Sequence, residues 1–440
     1  MKIENSFHFL KPISWLPVTA FIMLSSCIYF WNLSTVPFHP DESTQIYMSS
    51  DIEQIFTDPS LLFWNPDPID PVRQSYRLLD APIMRYLIGI SRQLFKVEPL
   101  ESDWSWSSSW EQNVQNKAYP NSKQLWVSRL ASAVFFPFSL LLLYKLGKRI
   151  SSSKLGWILM LLFSINPLVL LHTRRAMSEG PLVFFILLFL WTIVNRKRNV
   201  YLIASSLALA INSKYSAAPL LIVGGLFLFF DAKDKENKWK IPLKNVVIFT
   251  TVIIAVTIML NPFSWSNPID SIQAAFRARQ NLVANQVADL RIIAPERVLD
   301  TLSERSAAIV GNLFFTRLAF ADYGNYSKYT SESEMYYLEY PVNNLFRTPL
   351  GGAFFVTLTL LGLTISIVQW KKDHFRVDQP LFPINLSAFA EISFLLISVP
   401  LPYQRYIIPL LPFILIWVGV ALEHLLSLIQ TKNKKEPGIK

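Results

Sequence analysis

Phe38-His39-Pro40-Asp41-Glu42 sets two adjacent carboxylates directly after the first long apolar run, where a long polar loop begins. A carboxylate within hydrogen-bond reach of a hydroxyl or amine can take its proton. A neighbouring carboxylate raises its pKa and a cation lowers it. The pair can therefore be a general base, a metal ligand, or both; it can also be a solvated helix cap. Three other stretches put charge beside long apolar runs: Arg174-Arg175-Ala176-Met177-Ser178-Glu179, Asn212-Ser213-Lys214-Tyr215 and Tyr403-Gln404-Arg405-Tyr406. Arg175 and Glu179 are four apart, so a helix would put them on one face and let them pair. The planar fork of arginine suits phosphate oxygens. Lys214 fits a phosphate contact, and it fits equally a side chain snorkelling to headgroups.

Positioning these residues is the task of a strongly apolar chain. Of 440 residues, 52% are hydrophobic and 14% aromatic, and the formal charge is +10. A bilayer core needs roughly 20 apolar residues per helical crossing. About ten segments qualify: 13–33, 125–146, 155–172, 180–195, 199–213, 215–230, 244–262, 349–370, 380–400 and 406–429. The first is too long for a typical cleaved signal and reads as a retained anchor. The reading is an all-α integral membrane protein: one transmembrane domain over residues 1–430, with outer loops at 34–124 and 263–348 and a basic tail at 431–440. Cys27 is the single cysteine, which excludes an intrachain disulfide and a cysteine-built metal site.

Lys and Arg gather in alternate connections, at Lys145 to Arg149, Arg196-Lys197-Arg198, Lys233 to Lys244, Lys371-Lys372 and Lys432 to Lys440. The positive-inside bias makes these sides and both termini cytoplasmic. Basic residues spread this way set topology and form no nucleic-acid face. Loop 34–124 holds twelve acidic against seven basic side chains. All four charge clusters then fall on the outer side, where cations oppose the bias and charge near the bilayer marks function.

Within the first outer loop, Asp41 to Phe56 and Leu78 to Phe95 read as helices with apolar faces. These lie in the membrane interface or pack on the bundle. The Trp- and Ser-rich stretch 101–110 is expected at headgroups. The second outer loop reads as helical to about Phe315. Tyr323 to Tyr326 and Tyr336 to Tyr340 then form an aromatic, hydrogen-bonding loop, suited to sugar rings or to an interface.

These residues together resemble the polyprenyl-phosphate-sugar-dependent glycosyltransferases of the GT-C superfamily, nearest the protein O-mannosyltransferases and the lipid A aminoarabinose transferase (glycosyltransferase family 39 and its bacterial relatives). Phe38 to Glu42 looks like the family's Asp-Glu motif in the first outer loop. Arg129-Leu130-Ala131-Ser132-Ala133, running on to Gly147-Lys148-Arg149, is similar to its second-span pattern. Asn166-Pro167 with Arg175 to Glu179 and Pro181-Leu182 resembles the next pair of spans, where the acidic position is often Asp. Lys214-Tyr215 and Arg405 to Pro409 match later signatures. The large soluble insertion of the protein mannosyltransferases has no counterpart, and the second outer loop lacks an obvious family motif.

The resemblance implies a GT-C-type bundle and an inverting transfer of sugar from a polyprenyl-phosphate donor to an extracytoplasmic lipid, glycan or protein. Asp41 would be the base with Glu42 beside it, supported by His39 and Glu179. Arg174, Arg175, Lys214, Tyr215, Arg405 and Tyr406 would hold the departing phosphate. Asp41 with Glu179 could hold a divalent cation, the one cofactor in view. The expected partners are the lipid-linked donor, the acceptor and the bilayer, in a bacterial inner membrane. Two rivals remain, a transporter or flippase of lipid-linked sugars and a non-catalytic scaffold. The first would need charges deep within spans and repeat symmetry, neither of which is evident.

Overall fold

The computed structural model describes residues 15–195, 198–236, 240–322, 326–374 and 376–435. Helix α1 (Trp15–Trp31) precedes the first outer loop, which folds into α2 (Pro40–Met48), α3 (Asp51–Thr57), α4 (Pro71–Leu79), α5 (Ile83–Phe95) and α6 (Trp110–Gln115). The central bundle follows: α7 (Ser122–Ala133), α8 (Phe135–Ile150), α9 (Ser153–Ser164), α10 (Pro167–His172), α11 (Glu179–Val194), α12 (Val200–Ser213), α13 (Leu220–Glu236) and α14 (Lys240–Leu260). The second outer loop holds α15 (Pro268–Ile293), α16 (Leu302–Val310) and α17 (Ser327–Glu339), before α18 (Pro349–Lys372), α19 (Leu381–Ser398) and α20 (Leu411–Lys435) close the chain.

Among the described residues, five helical stretches are long and apolar enough to cross a membrane: Ser122–Ile150, Lys240–Leu260, Pro349–Lys372, Leu381–Ser398 and Gln404–Thr431. Five shorter apolar helices, Trp15–Trp31, Ser153–Ser164, Glu179–Val194, Val200–Ser213 and Tyr215–Phe230, fall on the remaining expected spans. The expected span 155–172 is broken. Asn166 accepts the amides of Leu168 and Val169, and Pro167 occupies the first position of α10, so a new helix starts there. The tail also differs, since α20 continues to Lys435. The expected residues Arg196, Lys197, Tyr323, Gly324, Asn325 and 436–440 lie outside the described ones.

Helix pairing uses small residues and buried polar links, as expected where lipid supplies no hydrophobic drive between helices. A Cβ on Gly362 of α18 would collide with the Trp417 carbonyl of α20, so this crossing requires glycine. Trp417 donates to Asn385 at 2.9 Å, and Asn385 donates to Ser366 at 2.7 Å, linking α20, α19 and α18. Asn261 donates to Asn212 at 2.6 Å, and Asn212 to Thr257 at 2.9 Å, which joins α12 to α14.

The first outer loop packs on the bundle. Ile46 and Ile52 are buried, although Phe56 is exposed. The two expected helices are each divided, between α2 and α3 and again at Asp80-Ala81-Pro82 between α4 and α5. Trp104 of the Trp-rich stretch is buried against Phe38 and Tyr326, beside the Asp-Glu motif. Tyr336, Tyr337 and Glu339 belong to helix α17, which corrects the expected loop.

Candidate active site

The backbone at His39 is extended and starts α2 with a reciprocal cap. His39 Nδ1 accepts the Asp41 amide at 3.1 Å, and Glu42 Oε2 accepts the His39 amide at 3.1 Å. Pro40 at the first helical position leaves no amide unpaired there. The cap fixes the direction of each carboxylate. Glu42 points into the protein and is fully buried, whereas Asp41 points outward with its side chain 29% exposed.

Glu42 accepts Arg129 Nε at 2.8 Å, Arg129 Nη2 at 2.9 Å and the Ala176 amide at 2.8 Å. Arg129 also donates to the Leu33 carbonyl at 2.8 Å. One carboxylate thus ties α2 to α7 and to the segment before α11. Burial alone would raise the Glu42 carboxyl, but Arg129 outweighs it and holds the group below its ordinary range.

Asp41 meets a different partner. Arg405 Nη1 hydrogen-bonds its Oδ2, and Arg405 Nη2 sits 2.8 Å from Asp322 Oδ2. His39 Nε2 faces the same Asp322 oxygen at 3.6 Å. Since Nδ1 is already an acceptor, Nε2 is the ring nitrogen left to donate toward Asp322. Burial raises the Asp41 carboxyl, yet Arg405 and then His39 prevail and keep it below the ordinary carboxylate range. The same groups depress Asp322 further. Arg405 is delivered by the 3-10 turn Gln404–Leu410. Gln404 anchors that turn by accepting the Ala319 amide at 2.9 Å and donating to Thr316 and the Arg317 carbonyl at 3.2 Å.

Lys214 lies between α12 and α13, 2.6 Å from Glu179 Oε1, with its ammonium 5.7 Å from the centre of the Tyr406 ring. Arg405 stands over the same ring at 5.8 Å. The expected Arg175–Glu179 pair does not form, because residues 173–178 are irregular and α11 begins only at Glu179. Arg175 is buried and donates instead to the carbonyls of Pro37 (3.2 Å) and Phe320 (2.8 Å). Arg174, also buried, stacks over Tyr29 at 4.5 Å. Asp41 and Glu179 each face a cation, and among the described residues no group of three His, Cys, Asp or Glu side chains could hold a metal. This donor set does not fit a divalent cation between Asp41 and Glu179.

More carboxylates surround the outward face of α2. Asp103 accepts Thr44 at 2.8 Å and Tyr76 at 2.6 Å, and Asp80 lies 3.5 Å from Gln45. Burial raises both carboxyls, and the Asp41 charge adds to it. Asp322, Asp80 and Asp103 were not singled out from the sequence, since nothing in their local pattern separates them from loop acids. Arg129 carried a legible signal: it is an ionisable residue inside an apolar span.

The comparisons bear on this arrangement. A family model described as dolichyl-phosphate-mannose-protein mannosyltransferase matches residues 121–265. No curated protein matches the chain. Among solved structures, ArnT from Cupriavidus metallidurans bound to undecaprenyl phosphate superposes with a TM-score of 0.52 at 14% identity, over 93% of this chain and 60% of that one. The chain has the GT-C fold. The archaeal oligosaccharyltransferase AglB from Archaeoglobus fulgidus, in complex with an inhibitory peptide and a dolichol-phosphate, gives a TM-score of 0.50 at 12% identity, over 97% of this chain and 53% of that one. The chain therefore spans only 60% and 53% of the lengths of these two GT-C proteins. The four charge clusters read from the sequence occupy this fold as one connected group, with Asp41 and Asp322 joined by Arg405, His39 facing both carboxylates, and Lys214 reaching it through Tyr406.

Proposed function

We propose that this protein is an integral membrane glycosyltransferase that transfers a sugar from a polyprenyl-phosphate donor to an acceptor outside the cytoplasm. The observation that carries the reading is the partly exposed Asp41 carboxylate bound to Arg405, beside Asp322, at the ends of a bundle of apolar helices. The similar structures of ArnT and AglB hold undecaprenyl phosphate and dolichol-phosphate, respectively. Both have a phosphate that needs cations and a prenyl chain that needs an apolar wall. An apolar groove of about 520 Å³ between α13 and α14 begins at Leu221, six residues past Tyr215, and gives the prenyl chain such a wall.

In this reading an acceptor hydroxyl or amine attacks the anomeric carbon from the face opposite the phosphate, and its proton passes to Asp41. The bond from the anomeric carbon to the phosphate oxygen breaks, and the lipid phosphate leaves with the electron pair. Inversion follows from the single displacement. Arg405 has two tasks that compete. While it holds Asp41 it weakens the base, and when a donor phosphate draws on its fork the carboxylate regains basicity. Lys214, with Tyr215 and Tyr406 beside it, would flank the phosphate. Glu42, Arg174 and Arg175 build the frame, with His39 orienting the motif and Glu179 holding Lys214. The bundle sits in the bilayer with both termini cytoplasmic.

Asp41→Asn tests the base directly. It keeps the size and an acceptor oxygen, so the purified variant should retain the wild-type melting midpoint and lose transfer by about 10²–10⁴-fold, the usual contribution of a positioned acid or base. Undiminished transfer by Asp41→Asn would remove Asp41 from the chemistry.

A further inference from the structure

The cations that surround Asp41 are already spent. Arg405 is shared by Asp41 and Asp322, Lys214 is held by Glu179, and Arg85 lies 3.3 Å from Asp51. Around Asp41, Arg405 and Lys214 face three carboxylates, so this group has a net negative charge before any substrate arrives. A phosphodiester donor adds a negative charge, and its release as a phosphate monoester adds another. Arg174 and Arg175 have no carboxylate partner, but they are buried and occupied by the Tyr29 ring and by the Pro37 and Phe320 carbonyls, so the site needs an accessible cation that no carboxylate has claimed.

Helix α15 supplies a place for one. It packs along α4, whose end is capped by Asp80. Its second half packs through Val287 and Leu290 against Tyr403 and Tyr406, the residues on either side of Arg405. The helix therefore straps the mouth of the site from one wall to the other. Arg279, Val283, Val287 and Leu290 recur at spacings of four, four and three, which puts them on one face. That face is the inward one, as buried Leu290 shows, yet Arg279 on it is exposed. Its exposure on the packed face of the strap leaves the Arg279 guanidinium accessible to a ligand at the mouth of the site. Among the described residues Arg279 makes no hydrogen bond or ion pair, and its charge is close enough to act on Asp80, Tyr215 and Tyr406.

We propose that Arg279 is a phosphate-binding residue for the lipid-linked donor, reaching from α15 over the mouth between Asp80 and Arg405 to supply the accessible, unclaimed cation that the inner residues lack. The assignment rests on the donor class proposed above. It makes α15 part of the binding site, and it explains why this long helix carries an unpartnered guanidinium on its packed side.

The test measures binding of undecaprenyl phosphate and of the uncharged polyprenol to the full-length purified protein in nanodiscs. Wild type should bind the phosphate more tightly than the alcohol. Arg279→Gln should weaken the phosphate roughly tenfold, the scale of one hydrogen bond to a charged group, and leave polyprenol unchanged. Arg279→Lys should restore most of the loss, because the point charge survives. Equal affinity of wild type for phosphate and alcohol would overturn the donor class and this assignment with it. Normal phosphate binding by Arg279→Gln, with Arg405→Ala impaired, would overturn the assignment alone. A matching loss of polyprenol would make Arg279 merely structural. Displacement of undecaprenyl phosphate by phosphatidylglycerol at equal concentration would give the residue to bulk headgroups, and that too would overturn it.

Discussion

Two adjacent acidic residues have been turned in opposite directions by one helix cap, and their chemistry diverges accordingly. Glu42 is buried with four donors around it, so it has no lone pair left for a substrate. Removing one member of a buried ion pair costs about 3–5 kcal/mol, because the other charge is stranded. Glu42→Gln should therefore lower the melting midpoint and yield sharply, in contrast to Asp41→Asn. A Glu42→Gln protein with wild-type stability would mean that Arg129 does not depend on it. The pH dependence has a defined sign. Glu42 is raised by burial and lowered more by Arg129, so its folded value is depressed. Its stabilisation is full above the unfolded value of about 4.3 and fades as pH falls through the folded value. The melting midpoint of wild type should hold from neutral to about pH 5 and drop below about pH 4, and Glu42→Gln should show a flatter acid limb.

At the scale of elements, a turn rather than a long helix delivers the key cation. Gln404 has 1% exposure and uses both ends of its amide to moor the turn Gln404–Leu410 to residues 316–319. Gln404→Ala leaves the half-buried Ala319 amide unpaired, which costs about 1 kcal/mol, and frees Arg405 to drift from Asp41. Transfer should fall at least about tenfold, with a melting shift of only a few degrees. A Gln404→Ala enzyme with normal transfer would show that the turn positions itself without this amide. The elements themselves were largely legible. Apolar runs of bilayer length announced the helices, and Asn166-Pro167 announced a break that the expected 155–172 span ignored. The pairings were not legible. Arg405 and Asp41 are 364 residues apart, and Arg129 and Glu42 are 87 apart, so no local periodicity encodes their contact. Charge opposed to the topological bias did mark Lys214 and Arg405. It also marked Arg174 and Arg175, because a charge sealed in protein and a charge facing a substrate look alike in sequence.

For the whole molecule, the proposed chemistry requires that Asp41, the strap α15 and the first outer loop share one side of the membrane. On the proposed orientation the connections near Ser151 and Lys372 lie on the other side, where basic residues follow the positive-inside bias. Cys27 is the only cysteine, so a Cys27→Ser background makes single-site labelling clean. Ser107 in the first loop, Ser303 in the second and Ser151 between α8 and α9 are all exposed positions for a reporter thiol. Ser107→Cys and Ser303→Cys should react with a membrane-impermeant maleimide in right-side-out vesicles, and Ser151→Cys only in inverted ones. Labelling of Ser107→Cys and Ser151→Cys from the same side would break the alternation of spans between them. Labelling of both loop positions only in inverted vesicles would keep the bundle intact but turn it over, placing Asp41 and its donor on the cytoplasmic face. The positive charge of the connections makes that inversion the costly arrangement, and the labelling pattern separates it from a miscounted span.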